Sequence, residues 1–79
     1  MDSVVASKPR VRGLVAGKSN LYPDFWLVKI TDNAHLLFRK NIRAVDIRAG
    51  TEIKTNDSVD FVVVKQGSDY LARDVALRR

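Results

Sequence analysis

The sequence predicts an all-β protein, folded as a small five-stranded Greek-key barrel. Between Arg10 and Leu77, five short segments rich in Val, Leu and Phe alternate with turn-forming sequences. A long connection separates the third segment from the fourth, as a Greek key requires. An SH3-like barrel is the nearest alternative. A two-layer α/β sandwich is disfavoured, because no apolar periodicity is long enough for a helix of ~10 residues.

The first part of the chain is predicted to contain an arm and two strands. Residues 1–9 are small and mixed in character and indicate a flexible N-terminal arm, and residues 10–79 then form the barrel domain. The first strand is predicted over residues 10–16, bent at Gly13 and ended near Gly17. The second strand is predicted over residues 25–30. The turn-rich loop 18–24 separates them.

The rest of the chain is predicted to supply three further strands. Residues 35–39 follow the second strand after a tight turn, so these two strands should form a hairpin. The next stretch is less regular, and residues 41–45 fit one helical turn within it. The last two strands are predicted over residues 59–65 and 70–77, joined by a turn that contains a glycine.

Alternation of side chains along these strands assigns one set to a common core. Hydrophobic residues make up 46% of the chain, which is enough to build such a core without cross-links. The predicted core residues are Val15, Val28, Ile30, Leu37, Val59, Phe61, Val63 and Val75.

Composition argues against several classes of protein. The chain has no cysteine and one histidine, His35, so neither disulfides nor a zinc site of Cys and His is expected. No Gly-rich phosphate loop or nucleophile–histidine arrangement is present, which predicts neither an enzyme nor a cofactor. The N-terminus does not resemble a signal peptide, and no stretch approaches the roughly 18 apolar residues that span a bilayer. A cytoplasmic or nuclear protein without a membrane partner is expected.

Positive charge is concentrated in the first half of the chain. Residues 1–43 contain eight Lys and Arg against three Asp, whereas residues 44–77 contain four against six acidic residues. The formal net charge of the whole chain is +5. A basic half on a small β domain favours a polyanionic partner, because clustered like charges repel one another until they are neutralised.

Five segments of the chain resemble the cold-shock domain, an oligonucleotide-binding barrel of the OB-fold type. The resemblance lies in Gly-x-Val at residues 13–15, the aromatic second-strand motif at 22–28, the third-strand motif at 35–42, Val-x-Phe at 59–61 and Ala-x-x-Val at 72–75. The resemblance implies the same barrel and binding of single-stranded nucleic acid on its outer face.

The residues predicted to bind nucleic acid combine aromatic or apolar side chains with neighbouring cations. Bases stack on such side chains, and Lys and Arg neutralise the phosphates. We expect single-stranded RNA, with single-stranded DNA as the alternative, to contact Lys18, Tyr22, Phe25, Leu27, Lys29, Phe38, Arg39, Lys40 and Arg43.

An alternative function follows from positions where this chain departs from the cold-shock pattern. Leu27 and Leu36 stand where the family has phenylalanine, and the first strand lacks its aromatic residues. Together with Phe38, these leucines would form an exposed apolar patch, and such patches mark protein-docking surfaces. The alternative is therefore a barrel that acts as a protein-interaction module, as a homodimer or as a regulatory or viral factor that binds a host protein.

Overall fold

Five β-strands form a closed barrel in the computed structural model, which describes residues 9–21 and 24–78. The order of the strands around the barrel is β1-β2-β3-β5-β4, and β4 closes onto β1. No helix occurs in these two ranges, so the prediction of an all-β five-stranded barrel is confirmed. Apart from Pro9, the predicted arm lies outside the described residues. The strands are β1 (Val11–Lys18), β2 (Trp26–Ile30), β3 (Asn41–Ala44), β4 (Ser58–Gln66) and β5 (Asp69–Leu77).

Strand β1 is longer than predicted because a bulge carries it past the glycine expected to end it. The register with β2 shifts between Val15 and Gly17, and Gly17 has a φ of 125°, which other residues rarely adopt. The shift pairs Lys18 with Trp26. The bulge thereby changes which face of the strand the last residues of β1 occupy.

The barrel interior contains the predicted core. Six of the eight predicted core residues are almost completely buried, and Leu37 and Val63 are partly buried and pack against them. The long connection between β3 and β4 also sends one side chain, Ile53, into this core. Inward-facing residues absent from the predicted set are Val11, Ile42, Ala44, Ile53 and Ala72.

Residues 35–39, predicted as the third strand, fold instead into consecutive turns. The N–H of His35 donates to the carbonyl of Asp32, and the N–H of Phe38 donates to the carbonyl of His35. Hydrogen bonds at this three-residue spacing define turns rather than a strand. The Asp32 carboxylate also accepts from the N–H of Ala34, a local bond that stabilises the first turn. The predicted third strand is therefore wrong.

The strand that pairs with β2 begins later, where a helical turn was expected at residues 41–45. Here β3 runs antiparallel to β2, so the predicted hairpin forms, but with a longer loop. Ile42 and Ala44 point inward, and Asn41 and Arg43 lie on the opposite face. The helical turn is wrong, because the backbone of residues 41–44 instead forms hydrogen bonds with the edge of β2. The segment that resembles the third strand of the cold-shock domain, residues 35–42, contains only the first two residues of β3.

Barrel closure depends on a short parallel contact. Strand β3 pairs with β5 through Arg43 with Leu71 and Ala44 with Ala72. Backbone hydrogen bonds extend the contact beyond β3, from the N–H of Val45 to the carbonyl of Ala72. This seam between β3 and β5 lies beside the candidate site.

Candidate nucleic-acid interface

One row of residues crosses the outer surface of the barrel from β1 to β4. Gly17 pairs with Leu27, Leu27 with Arg43, Arg43 with Leu71, and Leu71 with Val64. Adjacent residues on β2, β3 and β5 point into the core, so this row faces outward. Leu71 lies between Arg43 and Val64 and is only 5% exposed. This outer row gives the surface an apolar base with one guanidinium in its middle.

Arg43 joins three parts of this surface. Its guanidinium carbon lies 5.7 Å from the centre of the Phe25 ring, a distance that allows cation–π attraction. Its Nη2 atom lies 3.7 Å from Oδ2 of Asp69, which follows the β4–β5 turn. That separation is an ion pair but is too long for a direct hydrogen bond. Arg43 thus places a planar cation between an aromatic ring and a carboxylate.

A groove of about 390 Å³ lies beside Arg43, between the β2–β3 surface and the β4–β5 turn. This size falls within the roughly 300–1,000 Å³ typical of small-ligand sites. The groove unites Leu27, Lys40 and Arg43 of the predicted binding residues. Its complete lining is Leu27, Leu37, Lys40, Asn41, Ile42, Arg43, Ser68, Asp69 and Tyr70.

The groove also contains residues that the sequence did not identify. Ser68 lies in the β4–β5 turn, whereas Asp69 and Tyr70 begin β5. The sequence predicted a turn before Tyr70 and a strand from Tyr70 onward, and neither was assigned to the site. Tyr70 packs partly against the core. The sequence indicated a glycine-containing turn at this point, but no local pattern shows that the residues after the turn will lie beside β3.

Three predicted binding residues lie outside the lining of this groove, in different places: Phe25, Lys29 and Lys18. Phe25 is half-buried at the start of β2 under the Arg43 guanidinium. Lys29 is exposed on the outer face of β2 and pairs with a groove residue, Asn41, on β3. The bulge turns Lys18 towards the other end of the barrel, where its Nζ lies 4.7 Å from the Trp26 ring centre. Lys18 is therefore outside the groove.

Two further predicted residues, Phe38 and Arg39, lie in the turns between β2 and β3. Phe38 is half-buried, and the guanidinium carbon of Arg39 lies 5.1 Å from its ring centre. Arg39 has a φ of 71°, and its N–H donates to the carbonyl of Ile30 where the loop rejoins the sheet. Neither residue lines the groove. Tyr22, the remaining predicted residue, lies outside the described residues.

On the opposite side of the barrel, two arginines and two aspartates form ion pairs with one another. Arg10 forms ion pairs with Asp60 on β4 at 2.7 Å and with Asp74 on β5 at 2.8 Å, and Arg48 reaches Asp74 at 2.9 Å. The hydrogen bond from Arg48, together with Arg10, lowers the pKa of Asp74 to about 2. We call this set the Arg10–Asp74 network.

By contrast, the cations around the groove have few acidic partners. Within residues 9–21 and 24–78, Lys29 and Lys40 make no ion pair with a carboxylate, and both are exposed. The β2–β3 side therefore carries positive charge without acidic partners, and within the described residues Lys54, Lys65 and Arg73 are further unpaired cations elsewhere on the barrel. Such a surface attracts anions over a range set by the Debye length, about 8–10 Å at physiological salt.

The strand order and the parallel closure of β3 onto β5 define an OB-like barrel. The fold is similar to that of apo-CusF residues 6–88 from Escherichia coli, with a TM-score of 0.53 and 24% sequence identity. The likeness covers 100% of this chain and 96% of that chain. At this identity it shows the fold alone. No protein-family model matches the sequence, and comparison with curated proteins finds no match, so membership of the cold-shock family stays a prediction.

The described residues contain neither a cluster of metal-ligating side chains nor a helix suited to cross a membrane. No cluster of three or more His, Cys, Asp or Glu side chains able to hold a metal ion occurs in residues 9–21 and 24–78. In the same part of the chain, no helix has the length and hydropathy needed to cross a membrane.

Proposed function

We propose that this protein binds single-stranded nucleic acid, RNA or DNA, on the outer face of β2 and β3. The observation that carries the proposal is the groove, which joins Leu27, Lys40, Arg43 and Tyr70 from three separate segments. Apolar walls, an aromatic ring and cations at one place are what stacking of a base beside its phosphate requires.

The exposed lysines supply the affinity that does not depend on sequence. Lys29 lies on β2 and Lys40 directly precedes β3, and neither is held by a carboxylate within the described residues. A phosphate that approaches them releases condensed counterions without first breaking an ion pair. Binding should therefore weaken steeply as the salt concentration rises.

The groove favours single strands over duplexes. Its walls include Leu27, Leu37 and Tyr70, which offer an apolar surface to the face of a base. Bases in a duplex are already stacked on their neighbours, whereas an unpaired base can turn into a groove and gain contacts there. Each stacked base contributes roughly 1–3 kcal/mol.

The test is a titration of the full chain with fluorescent oligonucleotides of roughly 8 nucleotides, within the ~4–16 that one OB fold covers. Single-stranded RNA, single-stranded DNA and a duplex of the same sequence are compared at about 50 mM and about 200 mM salt. We expect the single strands to bind more tightly than the duplex, with affinity falling with salt. Absence of binding at the lower salt, or tighter duplex binding, would contradict the proposal.

A protein-docking function is the second candidate, and two exposed leucines favour it. Leu36 is 85% exposed in the turns between β2 and β3, and Leu21 is 84% exposed in the loop before β2. Sedimentation of the wild-type protein and of Leu36→Ser over a range of concentrations tests self-association through this surface. A monomer at all concentrations in both proteins would remove the homodimer form of this alternative.

A further inference from the structure

We infer that the groove selects guanine among the four bases of a single strand, through Asp69 and Arg43. The inference rests on the proposed function, because it assigns a base preference to the same site. Its basis is that a carboxylate and a guanidinium line one groove, 3.7 Å apart, without a hydrogen bond joining them.

The Asp69 carboxylate has unused capacity as an acceptor. It is 69% exposed, and within residues 9–21 and 24–78 no donor lies within hydrogen-bond distance of its oxygen atoms. An ionised carboxylate accepts through two oxygens and donates nothing. It therefore favours a ligand edge that presents two adjacent N–H groups.

Guanine is the one common base with such an edge. Its N1–H and N2 amino group lie side by side and match the two oxygens of a carboxylate. The adjacent O6, together with N7, accepts hydrogen bonds and suits a guanidinium such as that of Arg43. Adenine and cytosine each place a ring-nitrogen acceptor beside their amino group, and uracil has only one N–H donor between two carbonyls. Each of these three bases would face the Asp69 carboxylate with a mismatch.

The remaining lining fits a base held in this orientation. Leu27, Leu37 and Tyr70 give apolar surface for the ring, while Lys40 lies at the groove beside the path of the backbone phosphates. An unpaired base is read by contacts on its hydrogen-bonding edges while its faces stack. In this groove, charged side chains would contact the hydrogen-bonding edge of the base, and apolar side chains would pack against its faces.

The first measurement compares four oligouridine strands that differ only at one central position, occupied by G, A, C or U. Fluorescence anisotropy with the full chain at fixed salt gives the affinity of each. We expect the strand with guanine to bind roughly tenfold more tightly, in the range of a bidentate base contact. If all four strands bind with equal affinity, the inference is wrong and the proposed function stands. If none binds, both are wrong.

The second measurement uses Asp69→Asn, with Glu52→Gln as its matched control. Both variants remove one exposed negative charge, and Glu52 lies in a different cavity, lined by Trp26 and Ile53. Both should therefore raise general affinity to a similar extent. Only Asp69→Asn should abolish the ratio between the guanine and adenine strands. A ratio that persists in Asp69→Asn would overturn the assignment to Asp69.

A third measurement changes the ligand and leaves the protein intact. Inosine in place of guanosine removes only the N2 amino group, one of the two donors assigned to Asp69. We expect wild-type affinity to fall roughly fivefold or more, and the affinity of Asp69→Asn to change little. Equal wild-type affinity for the two strands would show that the carboxylate does not contact this edge.

Discussion

Gly13 and Phe61 are in such close contact that no side chain can be added to the glycine. A Cβ atom built on Gly13 would lie 2.7 Å from Cε2 of the Phe61 ring and 2.5 Å from the carbonyl oxygen of Lys29. Gly13 lies in the middle of β1 and faces the core, where Phe61 is completely buried. The sequence predicted a bend at this glycine, whereas the structure assigns it the space that the largest core side chain needs.

We expect Gly13→Ala to lower the free energy of unfolding by roughly 1–3 kcal/mol, the usual range for overpacking. One of the two close contacts is with backbone, which cannot rotate away, so the strand itself must shift. Urea denaturation followed by tryptophan fluorescence measures the change. Ala16→Ser, an exposed substitution on the same strand, is the control and should leave the midpoint nearly unchanged. Equal midpoints for the two variants would contradict this assignment.

Phe61→Ala should lower the free energy of unfolding by roughly 3–5 kcal/mol, because it leaves a cavity at the centre of the barrel. That is a large fraction of the stability of a typical domain, about 5–15 kcal/mol. The same denaturation experiment measures it, with the exposed substitution Gln66→Ala as the control. A cooperative transition at the wild-type midpoint would show that Phe61 is not central to the core.

The Arg10–Asp74 network should make stability depend on pH in a narrow acidic range. The Asp74 pKa is lowered to about 2, chiefly by the hydrogen bond from Arg48, compared with about 3.9 in an unfolded chain. The unfolded state therefore takes up a proton first, and the contribution of Asp74 is present above pH ~4 and lost as pH falls towards 2.

Thermal unfolding between pH 2 and pH 7 tests this dependence in the wild type and in Asp74→Asn. Asparagine tolerates the positive φ of 53° at this position, so the variant changes charge and leaves the backbone strain similar. We expect the midpoints of the two proteins to converge as pH falls from about 4 to 2. Glu52→Gln serves as the control and should follow the wild-type curve. A constant difference between wild type and Asp74→Asn across this range would contradict the linkage.

Replacing Lys29 and Lys40 together with Gln should weaken binding of all single strands and reduce its salt dependence. Loss of two phosphate contacts changes the slope of log affinity against log salt by about 1.4 for single-stranded nucleic acid. The matched control replaces Lys54 and Arg73 with Gln, which removes the same charge from exposed positions outside the groove. Equal slopes in the two double variants would show that net charge, and not this face, determines binding.

Phe25→Ala should reduce the affinity for single-stranded RNA by roughly 0.5–2 kcal/mol, because its ring supports the Arg43 guanidinium beside the groove. Phe38→Ala is its matched comparison. Both rings are half-buried beneath an arginine, but Phe38 lies in the turns outside the groove. We expect a smaller loss for Phe38→Ala. A larger loss would place the interface on the turns between β2 and β3.

The strands that carry long runs of alternating apolar residues could be predicted from the sequence. The predicted bounds of β4 and β5 differ from those observed by one residue at most at each end. The position of the third strand could not be predicted, because Leu36, Leu37 and Phe38 have the apolar composition of a strand but lie in turns before it. Local bonds at Asp32 and His35 nevertheless stabilise turns there, and β3 takes its place in the sheet with only two inward side chains.

A third of the groove lining, Ser68, Asp69 and Tyr70, was similarly beyond the reach of local patterns. The cations and apolar residues of β2 and β3 stand out in the sequence as a basic, aromatic-containing stretch. Asp69 and Tyr70 belong to the groove only because β5 crosses to pair with β3, and that parallel contact joins residues far apart in the chain. The sequence around Asp69 therefore does not indicate that its carboxylate will lie near Arg43.

The seam between β3 and β5 has a consequence for motion. Only two pairs of residues hold β3 to β5 within the strands, the fewest of any strand contact in the barrel. Amide hydrogens at this contact should exchange with solvent faster than those between β4 and β5, since weakly held units open first. Arg43 belongs to the seam and also lines the groove. A ligand that bridges Arg43 and Asp69 would hold the two strands together and slow this exchange, so that occupancy of the groove would be measurable as protection of the amides at this seam.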